Sequence, residues 1–225
     1  VAGATFAQAL GWTGARVASC YAACASGATA LEAARTRILA GLCDGGGWAL
    51  MLAAAYPESA LGVAALASCV PYLTEPHPNY TRYPFHEPLD TDEGWAKCNV
   101  HYWRRDYRGF LEFFFAQQLP EPHSTKQIED CVGWALETTP EVLLADEDAP
   151  QPDEATFRSW CARVRCPTLV VHGTNDEIIP LRHAVAIAEA TGGSLQMLEG
   201  SGHIPLARDP VQVNLLVREF VESLR

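Results

Sequence analysis

Positive charge is scarce in this sequence. Lys and Arg number 16 against 27 Asp and Glu in 225 residues, a formal charge of −11, which argues against nucleic acid or an anionic membrane surface as a partner. No run of about 18 or more apolar residues occurs, so no spanning helix is expected. The N-terminal "VAGATFAQALGWTGAR" has no basic flank before an apolar run and does not read as a secretory signal. It also lacks an initiator Met. Internal repeats are absent, and so is any Cys/His spacing typical of zinc. Cys20-x3-Cys24 and Cys161-x4-Cys166 have no nearby His partners, so no metal is expected. Nothing in the chain calls for a cofactor.

Cysteine is abundant: Cys20, Cys24, Cys43, Cys69, Cys98, Cys131, Cys161 and Cys166. Their spacings are irregular, and a chain of this length needs no staples, so free thiols in a reducing cytoplasm are the expectation. A 48% hydrophobic and 19% charged composition is globular, with length for one domain of ordinary size and an inserted lobe.

Residues 37–43, "RILAGLC", read as a strand running into glycines, and 47–57 as a helix stopped by Pro57. A buried run at 60–70 suits an interior parallel strand. From Pro71 to about Trp160 the texture becomes proline-rich and aromatic. There a long helix is expected over 92–119 and a second over 124–144, with Ser124-x-x-Gln127 as its capping box. "ADEDAPQPDEA" (145–155) reads as a solvated loop. The pattern then returns to strand (166–173), helix (181–191), strand (within 193–205) and helix (210–225). Such alternation predicts a parallel sheet. A further β-like run at 15–20 and a helix at 26–38 precede it.

Three loops at predicted strand ends carry reactive groups. "Gly41-Leu42-Cys43-Asp44-Gly45-Gly46" places a thiol at a strand-to-helix turn with the spacing of a nucleophile elbow. The turn strains the nucleophile's backbone, so its neighbours must be small, and the following helix directs N–H groups at the sulfur. Asp176 follows "Gly173-Thr174-Asn175", and His203 follows "Gly200-Ser201-Gly202". Each residue also has a plainer reading: Cys43 as a buried hydrophobe, Asp176 as a turn residue serving backbone N–H groups, His203 as core. His172 reads as packing within its strand, and Asp209 as a helix cap. The order Cys43, Asp176, His203, each at a strand end, carries the site reading.

From about residue 36 onward the chain resembles an α/β hydrolase, most closely in "CPTLVVHGTNDEIIP" and "LEGSGHIPLARDPVQVNLLVREFV". The middle segments "HYWRRDYRGFLEFFF" and "EPHSTKQIEDCVGW" resemble a group of actinobacterial α/β hydrolases sometimes found beside nucleotide-cyclase modules. The resemblance implies Cys43 as nucleophile, His203 as general base and Asp176 as the group that orients the imidazole. It implies Asp44 N–H as an oxyanion donor with Gly45 beside it, and Trp103 of the cap at the substrate. A thiol at this position is similar to the dienelactone-hydrolase variant of the elbow. Departures are plain: no His-Gly dipeptide precedes Cys43, and the first histidine is His77.

Residues 6–44 resemble instead a thiolase of the lipid-transfer type, with Cys24 of "AACASGATAL" in the acyl-accepting place. That reading makes 36–42 a helix, whereas the hydrolase reading makes it the strand feeding the elbow; the glycines favour the strand. The expected fold is therefore α/β: a partial α/β-hydrolase with a mostly parallel sheet of about five strands. Residues 36–71 and 161–225 form the core, 72–160 a helical cap insertion, and 1–35 a thiolase-like segment. An exposed sheet edge would favour a homodimer. Expected function is cleavage of a small ester, thioester or lactone through the Cys43 triad. The alternatives are a catalytically silent binding module and acyl transfer at Cys24.

Overall fold

A computed structural model describes residues 37–70, 73–75 and 77–224, without the side chains of Arg37 and Tyr80. The run at 15–20, Cys24 and the expected helix 26–38 as far as residue 36 lie outside those residues; residues 37 and 38, expected to end that helix, are instead the start of a strand. Among the described residues the sheet has four strands in the order β1 (Arg37–Leu42), β2 (Ala60–Leu66), β3 (Thr168–Gly173), β4 (Ser194–Leu198). All three pairings are parallel. Residues 37–42 are strand, as the hydrolase reading requires and the thiolase reading does not.

Each strand ends where its sequence changes character. Strand β3 is a buried β-branched run bounded by Pro167 and Gly173, the composition of a strand covered on both faces. Helix α1 (Asp44–Ala55) follows β1 directly and stops before Pro57. Beyond the insertion, α7 (Leu181–Thr191) ends at Gly192 in the left-handed conformation, φ 66°, the usual glycine exit from a helix. The last helix, α8 (Pro210–Ser223), has Pro210 in its first turn.

Two apolar layers sandwich the sheet. On one face Leu50 and Ala53 of α1, Val63, Val170 and Ile187 pack with Phe157 and Cys161 of α6 (Glu154–Arg163). On the other, Leu66, Leu169, Val171 and Leu198 meet Val213 and Val217 of α8. Alternation along β3 sends Val170 to one layer and its neighbours to the other.

Where one long aromatic helix was expected, the chain makes three short pieces. A 3-10 turn spans Gly94–Lys97, followed by α2 (Val100–Arg105) and α3 (Tyr107–Gln118). The break is at Asp106, whose carboxylate accepts the Gly109 N–H at 2.9 Å and so starts a new helix. Asn99 does the same for α2 through the His101 N–H. The second expected helix also divides, into α4 (Thr125–Ala135) and α5 (Pro140–Glu147), with Pro140 opening the latter. Its capping box does not form: the Ser124 hydroxyl donates back to the Glu121 carbonyl at 2.8 Å. The acidic stretch 145–155 is loop only between α5 and α6, and Asp153 caps α6 by accepting the Thr156 N–H. The helical segments inserted between β2 and β3 share a core of Val100, Trp103, Phe110, Leu111, Val132 and Leu144. Among the described residues no helix is long and apolar enough to cross a membrane.

His183 ties the route out of β2 to α7. Its Nδ1 accepts the Val70 N–H at 3.1 Å, and its Nε2 lies 3.1 Å from the Glu75 carbonyl, which fixes the neutral tautomer. Burial lowers its pKa from 6.5 to about 4. The unfolded chain therefore binds the extra proton first as pH falls. Stability contributed by this ring is complete above about pH 6.5 and drains away toward pH 4. Urea denaturation should show wild type exceeding His183→Gln by a margin that shrinks by roughly 2 kcal/mol between pH 7 and pH 4.5. A margin independent of pH would contradict this account.

Candidate active site

Register puts the working ends of the strands together. Leu42 pairs with Leu66, Leu66 with Val171, and Gly173 with Leu198, so the loops that follow β1, β2, β3 and β4 leave one sheet edge. In open α/β sheets that edge is where ligands bind.

Cys43 is the first residue past β1. Its backbone sits at φ 55°, ψ −127°, a region a side-chain-bearing residue occupies only at a cost of about 1–3 kcal/mol. The surroundings hold it there. Cys43 N–H donates to the Leu66 carbonyl at 3.0 Å, and its own carbonyl accepts N–H groups from Gly46 and Cys69. A Cβ on Gly41 would stand 2.0 Å from the Gly45 carbonyl oxygen, and one on Gly46 would stand 1.7 Å from the Ser68 hydroxyl. Gly45 faces open space. The crowding that the elbow spacing implies is real, but Gly41 and Gly46 bear it rather than Gly45. Cys43 is partly exposed, with Asp44 opening α1 immediately after it.

Asp176 and His203 meet directly. His203 Nδ1 donates to Asp176 Oδ2 at 2.8 Å, with both side chains almost wholly buried. The other carboxylate oxygen, Oδ1, accepts the N–H groups of Ile178 and Ile179, each at 2.8 Å. Burial by itself would raise the Asp176 carboxyl; the hydrogen bond and charge of His203, with the Ile179 N–H, outweigh it and hold the group below its ordinary value. Asp176 is therefore ionised at neutral pH. The β3 and β4 loops are knitted around this pair. Asn175 N–H donates to the Ser201 carbonyl and Gly200 N–H to the Thr174 hydroxyl. A Cβ on Gly173 would stand 2.1 Å from that same Ser201 oxygen.

His172 has more than a packing role. Fully buried, it places Nε2 2.8 Å from the Ile179 carbonyl and 3.5 Å from Asp176 Oδ2. Burial keeps its pKa below the ordinary imidazole value despite the carboxylate beside it, so it acts as a neutral donor bracing the acid loop. Asp209 precedes α8 without capping it by side chain; it accepts the Ser201 hydroxyl at 2.7 Å and steadies the His203 loop. Trp103 packs inside the helical insertion, with its ring centroid 5.1 Å from that of Phe85 and 4.4 Å from that of Phe110. Its buried Nε1 has no hydrogen-bond acceptor.

Sequence reasoning missed that the insertion is bonded to the loop that carries His203. The His203 N–H donates to the Gln118 carbonyl at 3.0 Å, and the Gly202 N–H to Glu121 Oε1 at 2.6 Å. The signal was the glycine before the histidine, which marks a close backbone approach. Also missed was Cys69, whose thiol hydrogen-bonds Asp44; burial and then the Asp44 charge hold it protonated. Burial likewise pushes Cys98 up to about 12 and both Cys131 and Cys161 up to about 11. All six described cysteines are thiols. Among the described residues no group of three or more His, Cys, Asp and Glu is arranged to hold a metal ion.

This chain belongs to the α/β-hydrolase fold family, whose model matches residues 35–210. The uncharacterized protein Rv2715 of Mycobacterium tuberculosis is 32% identical over 118 residues, covering 41% of this chain. The chain spans about a third, 35%, of that relative's length. Among solved structures, the esterase EaEST of Exiguobacterium antarcticum superposes with a TM-score of 0.70 at 18% identity, over 91% of this chain and 75% of the other. The esterase RhEst1 of Rhodococcus sp. ECU1013 gives 0.70 at 18% identity, over 93% and 76%.

The steric reading of the elbow has a direct check. Gly41→Ala and Gly46→Ala should each destabilise by about 3 kcal/mol through overpacking, whereas Gly45→Ala should be neutral or gain up to about 1 kcal/mol as a helical alanine. Equal denaturation midpoints for Gly45→Ala and Gly46→Ala would refute it.

Proposed function

We propose that this chain hydrolyses a small carboxylic ester, thioester or lactone through an acyl thioester on Cys43, with His203 as general base and Asp176 orienting it. The observation that carries the reading is the buried 2.8 Å Asp176–His203 bond on the sheet edge where Cys43 is held in a strained conformation. Esterases among the superposable structures agree with an ester hydrolase.

In this scheme His203 Nε2 takes the Cys43 proton and the sulfur attacks the substrate carbonyl carbon. Asp176 accepts the Nδ1–H throughout, which fixes the tautomer and stabilises the imidazolium that forms. The N–H of Asp44 at the start of α1 has the role of oxyanion donor in this reading, a role in which one preorganised donor is worth about two to three orders of magnitude in rate. Collapse expels the alcohol or thiol, which takes the proton from His203 and leaves an acyl-Cys43. Water, deprotonated by the same imidazole, attacks that thioester. The acid departs and the thiol regains its proton.

Cys43 has the leading claim among the described thiols because burial holds Cys69, Cys98, Cys131, Cys161 and Cys166 above their ordinary value. Cys43 is partly exposed at a helix N-terminus, a setting that lowers a thiol's pKa below about 8.5.

Turnover of an ester and thioester panel should fall at least about 10³-fold in both Cys43→Ala and His203→Gln, with circular dichroism unchanged. Iodoacetamide at pH near 6, followed by peptide mapping, should label Cys43 ahead of the other thiols. Turnover that survives Cys43→Ala would end the proposal. A panel with no activity above the Cys43→Ala background would favour a binding module instead, and first labelling at Cys24 would favour the acyl-transfer alternative.

A further inference from the structure

The loop bearing His203 is held from one side by the core and from the other by the cap. On the core side stand Asp176, Asp209 and the Asn175 N–H. On the cap side stands the short segment that leaves α3. There the Gln118 carbonyl accepts the His203 N–H at 3.0 Å, Glu121 Oε1 accepts the Gly202 N–H at 2.6 Å, and the Pro122 carbonyl accepts Arg208 Nη2 at 3.2 Å. The contact is close enough to dictate sequence. A Cβ on Gly202 would stand 2.6 Å from Pro120 Cδ, 3.0 Å from the Gln118 carbonyl oxygen and 3.1 Å from Glu121 Oε1. Glu121 is not a surface carboxylate that happens to lie nearby: its Oε2 is buried without a donor. Its Oε1 is committed to the loop that carries His203, through the Gly202 N–H.

We propose that residues 118–121 latch the cap to the catalytic loop, with Glu121 the positioning residue that sets His203 against Asp176 and Cys43. The inference rests on the acyl-Cys43 chemistry above. Physically, two consecutive N–H groups, of Gly202 and His203, are both taken by the cap, so the backbone carrying the imidazole has its peptide planes fixed by an element outside the core. A carboxylate acceptor makes the stronger of the two bonds because it is charge-assisted. Losing it frees the Gly202 peptide, lets the ring swing from the 2.8 Å contact with Asp176, and weakens the imidazolium that stabilises the Cys43 thiolate.

The test compares Glu121→Met, which keeps volume and removes the acceptor, with Glu121→Gln, whose amide oxygen still accepts the Gly202 N–H. The readouts are kcat and KM on the best ester found, and the pH dependence of Cys43 alkylation mapped by mass spectrometry. Wild-type Cys43 should show an inflection well below about 8.5. Glu121→Met should move that inflection up toward the free-thiol value and lower kcat about 10- to 100-fold with KM little changed. Glu121→Gln should stay near wild type in both. Gly202→Ala, whose added Cβ would crowd Pro120, the Gln118 carbonyl and Glu121 Oε1 together, should reproduce the Glu121→Met pattern and serves if Glu121→Met fails to fold. A depressed wild-type inflection that is unmoved in Glu121→Met or Gly202→Ala overturns the latch. A wild-type inflection near the free-thiol value overturns the acyl-Cys43 chemistry, and the latch with it.

Discussion

A carboxylate taken out of water is costly unless its oxygens find donors, and the candidate site is organised around supplying them to both oxygens of Asp176. One oxygen is satisfied locally by the N–H groups of Ile178 and Ile179, the other by a ring from the next loop. The first pair makes the turn; the second makes the site. Because the turn is closed by the carboxylate itself, the acid cannot rotate away from His203 without breaking its own loop. His172 adds a third restraint from inside the sheet by holding the Ile179 carbonyl. The turn reading and the site reading of Asp176 are thus two halves of one hydrogen-bond count rather than competitors.

The strain at Cys43 belongs to the same arrangement. A non-glycine residue at φ 55° persists only where its neighbours over-determine it. Here the Leu66 carbonyl in front, the Gly46 and Cys69 N–H groups behind, and the crowded pair Gly41 and Gly46 leave the residue one conformation. Cys69 serves this geometry through its backbone, while its thiol is committed to Asp44.

Much of this was legible in the sequence because it depends on local rules. Strand runs bounded by Pro and Gly, and glycines flanking a nucleophile, follow from backbone sterics, and β1, β3, α7 and α8 lie where those rules put them. The order of Cys43, Asp176 and His203 placed all three at strand ends. What could not be read was decided by contacts across the chain. The aromatic stretch at 92–119 has uninterrupted helical composition, yet Asn99 and Asp106 each capture a downstream N–H and restart the helix. Ser124 has the spacing of a capping box, but the Glu121 carbonyl three residues back takes its proton first. Gly45 fits the motif by spacing, while the steric load falls on Gly46 because Ser68, from another strand end, lies against it. No pattern within the elbow could reveal which glycine faces Ser68.

The helical insertion is the clearest case of a part whose contact with the candidate site is invisible to a linear reading. As an insertion between β2 and β3, it has its own apolar core and would be expected only to cover the strand ends. Its exit from α3 nonetheless supplies two acceptors to the loop that carries His203, and a glycine stands at 202 because that exit lies so close. An insertion bonded to that loop cannot shift without shifting it, so residues of the insertion far from His203 gain leverage over where its imidazole sits. This follows from the accounting that governs Asp176: buried N–H groups at a sheet edge need acceptors, and for Gly202 and His203 the insertion provides them.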